Sequence, residues 1–173
     1  KMYYLIGKDR AYLSKLYDTL KSYDNYLWTY RDSDGDGCLE SWCTWDTGED
    51  NSLRFTKYGV KDGGFGGEDA PVGHGRLPYE SMDICSYSCH ARAVLADISD
   101  ILENGEGDFW RRKAQEVRSK IRDYLWIEEK NACYDRDCDN RFMDVLTHNN
   151  LRCMYYGSFD QDMADRFIRF PSA

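Results

Sequence analysis

The feature that most constrains the fold is a spacing of apolar residues, three or four positions apart, in three separate stretches of the chain. This spacing places apolar side chains along one face of an α-helix. It predicts helices over residues 9–28, about Ser81–Leu102 and about Asp108–Leu125. Because only the short segment ENGEGD separates the last two, they are expected to form an αα-hairpin. A further short helix is expected near Asp160–Ile168.

The same spacing identifies the side chains that each helix should turn toward the core. In the first helix they are Leu13, Leu16, Leu20, Tyr23 and Leu27. In the second they are Ile84, Tyr87, Ala91, Leu95, Ile98 and Leu102. In the third they are Trp110, Ala114, Val117, Ile121 and Leu125.

Long loops separate the predicted helices. The stretch from Asn51 to Pro78 is rich in glycine, which helices and most strands do not tolerate, so it is expected to be a surface loop. After Trp126, short extended pieces are expected to flank an Asp/Asn turn in NACYDRDCDNRFM. Loops longer than about 12 to 15 residues inside a compact domain are usually functional.

Length and charge limit the class of protein. A chain of 173 residues is expected to form one domain. Its net charge of -8, without any Lys/Arg-rich run, argues against a nucleic-acid partner. No apolar stretch approaches the roughly 18 residues that would cross a bilayer, so no membrane partner is expected. Because Lys1 precedes Met2 and the chain stops just after the apolar Phe170, a segment of a longer protein is expected.

The cysteines favour a reducing compartment. Their number is 7, which leaves one unpaired in any disulfide scheme, and none lies in a C-x-x-C pair. Free thiols and a cytoplasmic location are therefore expected. Cys85 and Cys89 lie one helical turn apart, so a zinc-organised helical module stays open as an alternative.

An acidic stretch, RDSDGDGCLESWC, follows the first predicted helix and matches part of an EF-hand calcium loop. The matching positions are Asp32, Asp34, Asp36, Gly37, the backbone carbonyl of Cys38, and Glu40. The match fails at the twelfth position, where Cys43 replaces the bidentate Glu, so a complete EF-hand is not expected. Two interpretations remain, a calcium loop completed by a distant carboxylate and an Asp/Gly turn that caps its own backbone.

The next segment, WDTGEDNS, brings together three carboxylates, Asp46, Glu49 and Asp50. If the segment lines a cleft, mutual repulsion should keep at least one of them protonated near neutral pH. A protonated carboxylic acid beside an aromatic wall is what a glycosidase general acid requires. The alternative is a solvated acidic surface.

The chain resembles glycoside hydrolase family 63 and its trehalase-like and mannosylglycerate-hydrolase-like relatives through a series of segments in the same order: RDSDGDG, TWDTGEDNSLRF, YESMDICSYSCHARAVLADIS, DYLWIEEKNACYDRD and FPSA. The resemblance implies an all-α (α/α)6 toroid of helical hairpins. Residues 1–173 would form one partial catalytic domain, about half of that toroid. The remainder of the toroid would then be a partner of this piece.

The resemblance also assigns roles to individual residues. Asp50 falls on the general acid, for which a turn-capping Asp is the alternative. The expected sugar-binding residues are Trp45, Asp46, Asn51 and Arg54. Relatives usually have Glu where this chain has Asp46 and Pro where it has Leu53. Arg54 is equally explained as an ion-pair partner of Glu49 or Asp50.

Some members of the family also carry a calcium site, which the resemblance places on the loop Asp32, Asp34, Asp36, the Cys38 carbonyl and Glu40, with Glu80 as the distant ligand. Calcium is thus the one cofactor expected, with no organic cofactor. The family's general base, a Glu, matches no residue here, so this piece alone is expected to be inactive. The expected function is inverting exo-hydrolysis of α-linked glucosides or mannosides in oligosaccharides or small glycosides. A non-catalytic, calcium-stabilised carbohydrate-binding or scaffolding module is the alternative.

Overall fold

The computed structural model describes residues 8–43, 46–48, 52–56 and 77–169. Within these ranges the helices are α1 (Arg10–Tyr30), α2 (Leu53–Thr56), α3 (Met82–Leu102), α4 (Gly107–Lys120), α5 (Asn149–Tyr155) and α6 (Gln161–Arg169). Two short antiparallel strand pairs join β1 (Glu40–Ser41) to β2 (Tyr79–Glu80) and β3 (Trp126–Ile127) to β4 (Ala132–Cys133). Among the described residues, no helix combines the length and apolar character that a bilayer-spanning segment requires.

The predicted αα-hairpin is confirmed. α3 and α4 pack against each other, and α4 continues into a π-helical turn, Ile121–Leu125, which carries it to the predicted end. The apolar face predicted for this helix is buried at every position: Trp110, Ala114, Val117, Ile121 and Leu125. The short helix near residue 160 is also confirmed, as α6. α5 was not predicted, because seven residues beginning with two asparagines give too short a periodic pattern.

The predicted inward face of α1 is wrong at Tyr23, which is 50% exposed. Asp9 caps the N-terminus of α1, because its carboxylate accepts a hydrogen bond from the Tyr12 N–H. The inner face of α1 includes Asp24. Burial of Asp24 is possible because Arg92 of α3 donates two hydrogen bonds to its carboxylate, at 2.8 and 3.1 Å. The guanidinium carbon of Arg92 also lies 4.1 Å from the centre of the Trp28 ring.

α3 is the central helix of the described structure. It packs against α1, α4 and α5, and residues on several of its sides are buried. Tyr87, which the spacing placed inward, is 48% exposed, whereas Cys85 and Cys89 are buried in the main core. The seven cysteines are all free thiols.

Hydrogen bonds hold the segments around the N-terminal end of α3 in place. The Ser81 N–H donates to the Leu39 carbonyl at 2.9 Å, which joins the acidic loop to the start of the helix. Asn150 of α5 bonds both backbone groups of Cys133, at 2.7 and 3.1 Å, and so fixes β4 beside it. The predicted loop Asn51–Pro78 contains the helical turn α2 near the same end, and residues 57–76 lie outside the described part of the chain.

Replacement of Asp24 by Ala is expected to lower the free energy of unfolding by about 3 kcal/mol, because it leaves the Arg92 guanidinium buried without its carboxylate partner. The double variant Asp24→Leu/Arg92→Met should be less destabilised than the single variant. Urea denaturation of the variants measures both. Asp18→Ala, at an exposed position of the same helix, is the control, and an equal loss in the two single variants would contradict the prediction.

Candidate active site and acidic loop

The acidic loop after α1 winds around its own carboxylates. Gly37 has a φ of 86°, a conformation that favours glycine, and its N–H donates to Asp32 Oδ1 at 3.2 Å. Asp34 accepts from the Asp36 N–H at 3.1 Å, and Asp36 accepts from the Cys38 N–H at 2.8 Å. The backbone-capping turn is therefore present. It is also a geometry that directs several carboxylate oxygens toward one point.

Two buried glutamates lie beside this loop. Glu40 and Glu80 are directly opposite each other in the β1–β2 pair and are 2% and 4% exposed. Glu40 accepts hydrogen bonds from the Ser33 hydroxyl and the Trp42 indole N–H, both at 2.7 Å. Among the described residues, no group forms a hydrogen bond with Glu80 Oε2, which is buried. Like charges directly opposite in a sheet are destabilising, so the pair favours a compensating proton or cation.

Burial raises the pKa of Glu80 to about 8, and the negative charges of Asp36, Asp34 and Glu40 add to the effect. Burial also raises the pKa of Asp32, with further contributions from the neighbouring acids. Close carboxylates with raised pKa values are typical of functional sites as well as of structural ion networks. The positions of the carboxylates distinguish a functional site from a structural ion network.

The carboxylates form two overlapping groups whose candidate ligand atoms lie within 4.8 Å of one another. One group is Asp32, Asp34 and Asp36, and the other is Asp34, Glu40 and Glu80. Glu80, the distant ligand expected from the resemblance, thus reaches the loop. Lys120 of α4 lies 2.9 Å from Asp36 Oδ2 and balances part of the charge.

Among the described residues, no cluster of cysteine and histidine side chains offers a comparable site for zinc. Across the described ranges, each group able to hold a metal ion consists of carboxylates alone. The Cys38 thiol lies 3.4 Å from the Cys85 thiol, and neither thiol belongs to a group of candidate ligands within the described ranges. The donor set is one of hard oxygens, which suits calcium better than zinc.

Asp46, in the segment WDTGEDNS, accepts hydrogen bonds from two residues that precede this segment. Its Oδ2 accepts from the Trp42 N–H at 2.6 Å and the Cys43 N–H at 3.2 Å. Arg31 donates to both carboxylate oxygens, at 3.0 and 3.3 Å. These contacts assign Asp46 a structural role in this turn, while its predicted contact with a sugar stays a prediction.

Arg54 lies in a buried ion cluster. It is 1% exposed, and its Nη1 lies 2.9 Å from Asp135 Oδ2 and 3.1 Å from Asp83 Oδ1. Both aspartates are 3% exposed. The described contacts of Arg54 are thus ion pairs with two aspartates, and its predicted contact with a sugar stays a prediction. Glu49 and Asp50, the expected partners, lie outside the described residues.

The cluster also reaches the residues before the proposed acid. Arg54 Nη2 donates to the Thr47 hydroxyl, and Arg152 of α5 donates to the Thr47 carbonyl at 3.3 Å and to Asp83 at 3.3 Å. Thr47 and Arg54 stand on either side of position 50. Trp45, Asp50 and Asn51 themselves lie outside the described residues, so their predicted roles stay predictions.

A cavity of about 620 Å³ opens beside Asp46 and Thr47. Four tyrosines line it: Tyr23, Tyr26, Tyr87 and Tyr156. Arg31 and Arg152 supply charged groups at the same cavity. The volume falls within the range of small-molecule sites, and aromatic rings with polar edges suit contacts with a sugar.

Sequence reasoning missed Asp83, Asp135, Arg152 and the tyrosines of this cavity. Asp83 stood at the start of a predicted helix and Asp135 in a predicted turn, where a capping role explains an Asp. No spacing in the sequence connects either residue to Arg54, which is 29 and 81 positions away. Tyr23 and Tyr87 were assigned to the core because the helical spacing fitted them.

Comparison with known proteins identifies the family. Residues 1–170 match the mannosylglycerate hydrolase MGH1-like glycoside hydrolase domain. No curated protein matches the chain in sequence.

Two solved structures share the fold. One is the GH63 mannosylglycerate hydrolase from Thermus thermophilus in complex with glucose, with a TM-score of 0.76 and 15% identity over 92% of this chain and 44% of that chain. The other is an uncharacterized conserved protein from the same organism, with a TM-score of 0.75 and 15% identity over 92% of this chain and 46% of that chain. The present chain spans less than half the length of either.

The predicted all-α fold, part of a helical toroid, is thereby confirmed. The family match extends through the acidic loop, the segment around Asp50, the buried ion cluster and the helices that hold them. The chain belongs to the MGH1-like glycoside hydrolase family.

Proposed function

We propose that this chain supplies the general-acid half of the active site of an inverting exo-α-glycosidase. The substrate class is an α-linked glucoside or mannoside, in an oligosaccharide or small glycoside. The observation that carries the proposal is the family match over residues 1–170, which includes the segment WDTGEDNS. The described residues on either side of position 50 add support, because Thr47 and Arg54 are both held by one buried cluster.

In the proposed reaction, the Asp50 carboxylic acid protonates the departing glycosidic oxygen while the bond from that oxygen to C1 breaks. A water molecule attacks C1 from the opposite face and loses its proton to a Glu acting as general base. Inverting enzymes place the two carboxyl groups about 6.5 to 9.5 Å apart to leave room for this water. The proposed Glu corresponds to none of the 173 residues, so the isolated chain should be inactive.

The proposed sugar contacts divide into two kinds. Trp45 and Asn51 keep their role as residues that touch the sugar. Asp46 and Arg54 are proposed to act mainly by fixing the backbone, because their described contacts are with Arg31, Asp83 and the nearby turn. The tyrosine-lined cavity beside Thr47 would provide the aromatic wall.

Asp50→Asn in the intact protein is expected to reduce kcat on alkyl α-glucosides or α-mannosides about 100- to 10,000-fold, because the amide cannot donate the proton. Reducing-sugar release measures the rate. Asp108→Asn, on the exposed face of α4, is the matched control and should leave the rate unchanged. Full activity of Asp50→Asn would eliminate the proposed acid.

We also propose a calcium ion at the acidic loop, held by Asp32, Asp34, Asp36, the Cys38 carbonyl, Glu40 and Glu80. Glu80 Oε2, buried opposite Glu40 and without a hydrogen-bond partner in the described part of the chain, supports this donor set. The ion would neutralise the close carboxylates and connect the loop to β2. It would serve equally the alternative function, a non-catalytic carbohydrate-binding or scaffolding module, which differs from the enzyme in showing no turnover.

Calcium is expected to raise the thermal midpoint of unfolding, and a chelator should lower it, since a ligand that binds the folded state stabilises it by about 2.7 kcal/mol at 100 times its Kd. Glu80→Gln should weaken calcium binding at least about 10-fold in titration calorimetry, because it removes one charged ligand. Glu129→Gln, exposed in the turn after β3, is the control. Equal calcium affinity in the two variants would remove Glu80 from the site.

A further inference from the structure

We infer that Arg54, Asp83 and Asp135 form a positioning device for the segment that carries Asp50, so that these three buried residues set the placement of the general acid without touching the sugar. The inference rests on the proposed glycosidase function. It assigns to Asp83 and Asp135 a role that their sequence positions do not indicate.

The cluster is unusual in its burial. The side chains of Arg54, Asp83 and Asp135 are 1%, 2% and 3% exposed in their ion pairs. Burying charged groups costs desolvation free energy, and apolar side chains of the same volume often stabilise a protein as well or better. Stability alone is therefore a poor explanation for a buried ion pair. A planar, bidentate ion pair does, however, fix the orientation of the two groups that it joins.

The two aspartates are held in place independently of Arg54. Asp83 lies in the first turn of α3 and accepts a hydrogen bond from the Ser81 hydroxyl at 2.6 Å. Asp135 accepts from the N–H of Met82, the first residue of α3, at 2.9 Å. Carboxylates are stabilised at the N-terminus of a helix by its dipole. Asp83 and Asp135 therefore form a rigid receptor for the Arg54 guanidinium.

The two aspartates of the receptor differ in their electrostatics, since burial raises the pKa of Asp135 in spite of the opposing charge of Arg54. Burial by itself would raise the pKa of Asp83, but the charge of Arg54 and the Ser81 hydrogen bond outweigh it and lower that pKa. Arg152 brings a second cation to Asp83 at 3.3 Å. The lowered pKa of Asp83 favours its carboxylate form, which is the form that pairs with Arg54.

Arg54 is oriented from a further side by aromatic packing. Its guanidinium carbon lies 4.9 Å from the centre of the Phe55 ring, and Phe55 stacks on Tyr79 with ring centres 5.3 Å apart. A lysine offers no planar fork for two carboxylates and an aromatic face, so Arg54→Lys should lose the orientation while keeping the charge.

The cluster holds the segment at both of its ends. Arg54 follows position 50, and Thr47, which precedes it, is bonded through its hydroxyl to Arg54 and through its carbonyl to Arg152. The residues between these anchors, 48–53, include the proposed acid. A displacement of about 1 Å at a catalytic group can cost about 100-fold in rate. Loss of the cluster should therefore impair proton donation selectively.

Leaving groups that differ in their need for a proton provide the test in the intact protein. An alkyl α-glycoside needs protonation of its departing oxygen, whereas the α-glycosyl fluoride of the same sugar, glucose or mannose, releases fluoride with little assistance. Arg54→Lys should lower kcat on the alkyl glycoside about 100-fold and on the fluoride less than about 5-fold. Asp50→Asn should show the same contrast, and KM should change little in both.

Thr47→Val is the milder second variant, because it removes the hydroxyl that accepts from Arg54 but leaves every buried charge paired. It should show the same selectivity at about 10-fold, and it decides the question if Arg54→Lys does not fold. Arg92→Lys is the matched control, since Arg92 forms a bidentate pair with Asp24 that is also buried and lies away from the segment. It should change the two rates by the same factor.

Two results would overturn the inference in distinguishable ways. If Asp50→Asn shows the leaving-group contrast but Arg54→Lys and Thr47→Val affect both substrates equally, as the Arg92→Lys control does, the positioning role fails while the proposed function stands. If the wild-type protein hydrolyses neither substrate, the proposed function fails and the inference falls with it.

Discussion

The burial of the Arg54 guanidinium between two carboxylates is the constraint on which the described structure around the site depends. A buried cation that lost its partners would cost several kcal/mol, so the three elements that supply the cluster must stay together. These elements are the segment ending in α2, the N-terminal turn of α3, and the chain after β4. α3 also holds α1 through the pair Arg92–Asp24, so the buried charges of one helix place several neighbouring segments.

The acidic loop and the ion cluster are joined by consecutive residues. Glu80 faces the loop, Ser81 donates its N–H to the Leu39 carbonyl and its hydroxyl to Asp83, and Met82 donates its N–H to Asp135. The backbone from Glu80 to Met82 thus contacts both the acidic loop and the two aspartates that hold Arg54. A calcium ion bound to Glu80, as proposed, would lie next in the chain to the residues that hold Asp83 and Asp135.

The helices were predictable because burial follows the helical period, as the five buried positions of α4 and its π-helical extension illustrate. The periodic pattern failed at Tyr23, where the inner face of α1 accommodates a carboxylate that only a long-range partner, Arg92, makes tolerable. Glu80 could be named as a distant ligand from the resemblance, and the β1–β2 pairing brings it beside Glu40. Asp83 and Asp135 could not be linked to Arg54, because that contact depends on tertiary structure and leaves no periodic trace.

Contacts with nearby residues account for the Asp at position 46. The resemblance to family 63 implies a Glu at this place, which is one methylene longer. Here the short side chain reaches back to the N–H groups of Trp42 and Cys43 while its oxygens face the Arg31 guanidinium, from which they lie 3.0 and 3.3 Å away. A longer side chain would move the carboxylate away from those N–H groups. The Asp is thus matched to Arg31 and this turn, so the difference from the residue that the resemblance implies concerns how the segment is supported.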